Sequence, residues 1–145
     1  MLSRRAKYAL RALIYLAGQR GAAPVPVRDM AEELDISHAF LEQIFSELKR
    51  YNFVVATRGK QGGFVLSRNP KDINFAEIIR HIDGPLALAP CASQTAFRPC
   101  PECEDIHTCR LRPALIAARD ATARVLEKIT LAQAAGARKP IKALL

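Results

Sequence analysis

A chain of 145 residues, half of them hydrophobic, has the length for one domain, or a small domain with an appendage, and enough apolar side chains for a core. With 22 Lys and Arg against 14 Asp and Glu, its formal net charge is +8, which points to a polyanionic partner, nucleic acid first, unless the charge serves solubility alone. No signal peptide is visible, the apolar stretch Ala9–Ala17 is interrupted by Arg11, and nothing approaches the length of a membrane span. A cytoplasmic protein with reduced thiols and no membrane partner is expected.

Ser3 is a good cap for a first helix in which Ala6, Ala9, Leu10, Leu13, Ile14 and Ala17 recur at helical spacing, ended by Gly18 or Gly21. After a linker at Ala22–Pro26, Val27, Met30, Ala31 and Leu34 mark a short second helix broken by Asp35 and Ile36. Ser37 is expected to cap a third helix, from about 38 to 50, that buries Leu41, Ile44, Phe45 and Leu48. The β-prone runs 53–58 and 64–66 around Gly59-Lys-Gln-Gly-Gly63 predict a hairpin. Asn74 caps a fourth helix, with Glu77 completing a capping box, an apolar face of Phe75, Ile78, Ile79 and Ile82, and a stop at Gly84-Pro85.

Residues 85–109 hold Pro85, Pro90, Pro99 and Pro101 and all four cysteines, a loop long enough to suggest function or disorder. Leu111, Leu115, Ala118, Thr122, Val125, Ile129 and Ala132 then step by 4 and 3, the seam of a coiled-coil-like helix pair. Gly136 ends that helix, and a basic tail, 137–145, reads as loose. The expected fold is mainly α with a small β-hairpin. It divides into a DNA-binding domain (1–84), a cysteine loop (85–110), a dimerisation helix (111–135) and a tail (136–145).

The second and third helices have the lengths and tight turn of a helix-turn-helix, whose second helix enters the major groove. With 41, 44, 45 and 48 turned inward, the outer ridge is Ala39, Gln43, Ser46 and Arg50, flanked by Glu42 and Glu47. Gln43 suits bidentate pairing with adenine, and Glu42 can accept from cytosine N4. Ser37, His38 and the helix N-terminus suit a phosphate. Three helices followed by a Gly-tipped hairpin make a winged helix, with Arg58 and Lys60 at the tip to enter the minor groove or grip phosphate. In residues 1–68, eleven Lys and Arg against six acids leave +5 for this task. A helix pair and a solvated turn are the bland alternatives.

The runs Phe40-Leu-Glu-Gln-Ile44 and Arg58-Gly-Lys-Gln-Gly-Gly-Phe-Val-Leu66 resemble the "YLEQI" and "RGxxGGYxL" signatures of the IscR/NsrR/RirA family of iron–sulfur transcription regulators. Leu2-Ser3, Lys7-Tyr-Ala-Leu10 and Ile82-Asp-Gly84 are similar too, and the likeness runs from Leu2 to about Leu131. It implies a homodimeric regulator, a repressor in function, with a long dimerisation helix on an operator of two inverted half-sites in double-stranded DNA.

Cys100 and Cys103 form a C-x2-C and Cys103 and Cys109 a C-x5-C, with Cys91 upstream. Four thiolates in one loop suit an iron–sulfur cluster, a structural Zn site or a thiol–disulfide switch; inert cysteines would more often be buried singly. The resemblance implies a cluster, 2Fe–2S or 4Fe–4S, with Cys91, Cys103 and Cys109 as ligands. The chain departs from the family pattern in three ways. The gap from Cys91 to Cys103 is longer, Lys7 stands where one subgroup has a ligating Asp, and Arg110-Leu-Arg112 stands where another has a His. Cys100, the extra thiol, is therefore expected as the fourth ligand, with His107, Glu102, Glu104 and Asp105 as substitutes. His38 and His81 read as surface residues. No Gly-rich phosphate loop, nucleophile elbow or paired carboxylates argue for an enzyme.

Overall fold

A computed structural model describes residues 1–19, 23–103 and 105–136. Gly21 as a helix stop, Ala22 in the linker, Glu104 as a substitute ligand and the tail 137–145 lie outside the described residues.

Helix α1 (Arg4–Gly18) starts where the Ser3 hydroxyl accepts the Ala6 N–H at 3.0 Å, and it ends at Gly18. Its buried Ala6, Ala9, Leu10, Ala12, Leu13 and Leu16 show why the apolar spacing makes it the central helix. It packs against α2 (Val27–Leu34), α3 (His38–Arg50), α4 (Phe75–Ile82) and α6 (Leu131–Gly136). The small Ala6, Ala9 and Ala12 let those neighbours approach closely. Its N-terminal turn is tied to the end of α4, because Asp83 accepts both the Ser3 N–H, at 2.8 Å, and the Ser3 hydroxyl. Two family-like stretches, Leu2-Ser3 and Ile82-Asp-Gly84, thus meet in space.

Between α2 and α3, Asp35 is left-handed (φ 52°) and Ile36 is buried, which gives the tight turn. The Arg11 guanidinium satisfies the Leu34 carbonyl at the end of α2, at 2.6 Å. Ser37 stands at the start of α3, but its hydroxyl makes no bond to the helix, so the expected side-chain cap is corrected. Strands β1 (Val54–Thr57) and β2 (Gly63–Leu66) pair antiparallel, Val54 opposite Leu66 and Thr57 opposite Gly63. Val25 adds a third lane, exchanging backbone bonds of 3.0 and 2.9 Å with Phe64. That approach explains the Gly pair: a Cβ on Gly63 would lie 2.4 Å from the Val25 carbonyl, and one on Gly62 2.4 Å from the Thr57 oxygen. The arrangement is a winged helix-turn-helix.

Asn74 caps α4 through the Glu77 N–H at 2.9 Å. The capping box is not closed as expected. The Glu77 carboxylate pairs instead with the Arg68 guanidinium, a stronger charge-assisted partner than a backbone N–H.

The helix expected over 111–135 needs a larger correction. It does not run from 111 to 135: α5 spans Arg112–Lys128, and the chain then turns extended at Ile129–Thr130 before α6. The Ile129 carbonyl accepts the Phe75 N–H at 3.0 Å, and the Leu131 N–H donates to the Ile73 carbonyl at 2.9 Å. Ile129 and Leu131 are buried. The 4-3 stepping continues across the break because Ile129 is apolar for another reason, packing into the core of its own domain. Thr130 and Gln133 form a reciprocal capping box for α6, with bonds of 2.9 and 3.2 Å.

Candidate functional site

Two regions carry the candidate chemistry. The first is one face of the winged domain. Burial of Leu41, Ile44, Phe45 and Leu48 fixes the rotation of α3, so Ser37, His38, Ala39, Glu42, Gln43, Ser46 and Arg50 all stand exposed. Glu47 does not belong with them. It is largely covered and sits between Arg5 at 3.5 Å and Arg50 at 3.7 Å, which offsets its charge. Arg50 also donates to the Tyr51 hydroxyl at 3.1 Å, and His38 lies 3.9 Å from the Glu42 carboxylate. Arg58 and Lys60 are exposed in the hairpin turn. The wing is pinned to α3 by the rings of Phe45 and Phe64, 4.6 Å apart, so helix and hairpin present as one surface.

Arg4 and Arg5, not expected at the interface from sequence, line a concavity with Tyr8, Asp35, Ser37 and Phe40 and extend the basic face beside the start of α3. The Ser-Arg-Arg run at the first helix start was the available signal. His81 is held by packing and its own helix: Nδ1 is 2.8 Å from the Glu77 carbonyl, and the ring lies against Tyr51 and Phe53.

The second region is the loop between α4 and α5. All four cysteines line one cavity of about 600 Å³, together with Asp105, His107, Arg112 and Leu115. Cys91 is buried in a 3-10 turn (Pro90–Ala92), Cys103 and Cys109 are half-buried, and Cys100 is exposed. All four are free thiols. His107 enters through a tight turn in which its N–H donates to the Asp105 carboxylate at 2.9 Å.

The thiols differ electrostatically. Cys109 is held below the ordinary thiol range by the backbone N–H groups of Arg112 and Leu111 at the start of α5, with a further contribution from the Cys103 thiol. Cys103 is pushed up, first by donating its proton to Cys109 and then by burial and the other thiols nearby. Among the described residues, no three His, Cys, Asp or Glu side chains converge closely enough to hold a single ion. The sulfurs surround a space rather than a point.

Two further residues bind this loop to α5. Arg112 Nε donates to the Cys91 carbonyl at 3.0 Å, and Arg119 donates to the Ala92 carbonyl. Along α5 the anticipated seam is partly open: Leu111 is 71% and Val125 40% accessible, no residue of α5 is buried, and Leu111 and Leu115 also line the cysteine cavity.

Residues 2–137 match the family described as "Rrf2: Iron-dependent Transcriptional regulator". An rrf2-like HTH-type transcriptional regulator of Rhodobacter capsulatus is 33% identical over the whole chain and 99% of its own length. CymR, the global cysteine regulator of B. subtilis, superposes with a TM-score of 0.76 at 30% identity, covering 93% of this chain and 95% of its own. IscR of T. potens gives 0.71 at 27% identity, covering 91% and 83%. With a winged helix-turn-helix, a cysteine loop in the expected place and likeness along nearly its whole length, the chain belongs to the Rrf2 family of transcriptional regulators.

Proposed function

We propose that this protein is a cytoplasmic homodimeric repressor that reads two inverted half-sites of double-stranded DNA and is controlled by an iron–sulfur cluster in its cysteine loop. The observation that carries the reading is the single cavity lined by Cys91, Cys100, Cys103 and Cys109, at the start of α5, a helix that buries none of its own residues. Soft thiolates spread around a volume suit a polynuclear iron–sulfur group better than one Zn ion, which needs four ligands at about 2.0–2.3 Å from a single point. Cys91, Cys103 and Cys109 would hold the group and Cys100 would supply the fourth thiolate, with His107 next in line. When bound, the group supplies sensitivity to iron, oxidants or nitric oxide. The chain's own part is to present a thiolate at Cys109, to shelter Cys91 and to tie both to α5.

At the other end, Gln43, Glu42, Ser46 and Ala39 would face base edges, while Ser37, His38, Arg50, Arg58 and Lys60 would hold phosphates or the minor groove. The row Leu111, Leu115, Ala118, Thr122 and Val125, exposed at Leu111, Thr122 and Val125 and half-buried at Leu115 and Ala118, would be covered by the same row of a second copy. That seam ends at Val125, since Ile129 belongs to the core.

A second reading is favoured by Cys103 and Cys109, half-buried free thiols in the same cavity: these two would close a regulatory disulfide with no cluster. Anaerobic reconstitution with ferrous iron and sulfide separates the two. The cluster reading expects brown protein with bound iron and acid-labile sulfide. Colourless protein that loses two thiols on mild oxidation supports the switch.

A further inference from the structure

The two arginines of α5 are bound in an unusual way. Arg112 and Arg119 are two helical turns apart, about 10 Å along the axis, yet their guanidiniums converge on adjacent carbonyls, those of Cys91 and Ala92. Arg119 is well covered, its side chain 13% accessible, and two more of its donors go to the Asp120 carboxylate at 2.6 and 2.8 Å. A covered guanidinium whose donors are matched to fixed acceptors holds one geometry, because breaking any bond leaves a desolvated charge unpaired. Arg112 does more. It lines the cysteine cavity with Cys109 while its side chain holds the Cys91 carbonyl. One residue in the first turn of α5 therefore stands between the first and the last cysteine of the loop.

We propose that Arg112 and Arg119 are positioning residues that form a two-point clamp, through which the state of the cysteine loop sets the placement of α5. This deepens the regulatory reading above and rests on it. A change at Cys91 or Cys109 alters the cavity wall that Arg112 shares and the residue whose carbonyl it holds, and Arg119 makes the turn at 90–92 follow α5 as a unit. Leu111, at the head of the open row, is the neighbour of Arg112, so a shift of this turn alters the face offered to a second copy. Half-site spacing then converts a small displacement into a large change in operator affinity.

The test uses the full-length protein and the variants Arg112→Gln, Arg119→Gln and Arg119→Lys. In the metal-free reduced state, iodoacetamide labelling of Cys91 is followed by peptide mass spectrometry, with amide exchange over the first two turns of α5. Both Gln variants should label Cys91 faster by about tenfold or more and exchange faster there, while Cys100 labelling stays as in the wild type. Labelling and exchange unchanged in both variants overturn the clamp. Operator affinity is then measured for metal-free protein and for protein reconstituted anaerobically with ferrous iron and sulfide. The wild type should show a large ratio between the two states, and the Gln variants a ratio within about twofold of one. Arg119→Lys, which keeps the charge but not the fork, should fall between them. Freed Cys91 with the full ratio retained overturns transmission through the clamp. A wild type with no ratio sinks the sensing reading, and with it the transmission, whatever the labelling shows.

Discussion

The winged domain and the cysteine loop with α5 are built on opposite principles. In the first, α1 is enclosed by four helices, and residues such as Phe45, Phe53, Leu13 and Met30 are fully buried, so the fold completes itself within one chain. In the second, α5 buries no residue, its Leu111 and Val125 face outward, and the loop before it encloses a cavity ringed by sulfur. One region is held by what it already contains. The other leaves apolar side chains and thiols open within one chain. Substitutions in the core of the first should cost stability; substitutions in the second should change regulation and leave stability alone.

The largest effect is expected in the core. Phe45→Ala removes a fully buried ring and the anchor of the wing, and should cost about 3–5 kcal/mol in chemical denaturation. A loss under about 1 kcal/mol would mean that helix and wing are not packed as described. The opposite signature belongs to Val125→Glu, which should leave the thermal midpoint of the fold near wild type while turning a dimer into a monomer in sedimentation at micromolar concentration, with loss of tight operator binding. A wild type that already sediments as a monomer would remove the apolar row as an interface.

Smaller effects sharpen the DNA face. Gln43→Ala should reduce discrimination between operator and random DNA by about 1–3 kcal/mol. Arg58→Ala should weaken both and lower the slope of log affinity against log salt by about one, the signature of one lost phosphate. An unchanged slope would take the hairpin tip out of the interface. The finest distinction lies between two thiols in metal-free protein. Because Cys109 is held low, its thiolate survives as the pH falls through the ordinary thiol range, whereas Cys103, held high, loses its thiolate first. Iodoacetamide labelling should therefore persist to lower pH at Cys109 than at Cys103, and a reversed order would contradict the electrostatic difference between the two thiols.

The contrast also governs what could be read from the sequence. The first four helices and the hairpin were legible because each buries one face on a regular period, and periodicity is visible locally. The end of α5 was misread because Ile129 keeps the 4-3 rhythm while serving a different core; the Thr130–Gln133 capping box carried the missing signal. The cysteines were legible as a cluster of residue types, and their shared cavity followed. The arginine clamp was not legible. Arg112 and Arg119 find backbone carbonyls 21 and 27 residues away, and a carbonyl leaves no mark in the side-chain sequence. Ser37 shows the converse, a residue with a good capping type whose hydroxyl is left for other use.

The central claim is that the sulfurs around the cavity hold an iron–sulfur group, and an alanine series read by visible absorption after anaerobic reconstitution tests it most directly. Cys91→Ala, Cys103→Ala and Cys109→Ala should each abolish the absorption, and Cys100→Ala should leave a labile or spectrally altered species. Four variants that keep the colour and operator affinity of the wild type would contradict the account.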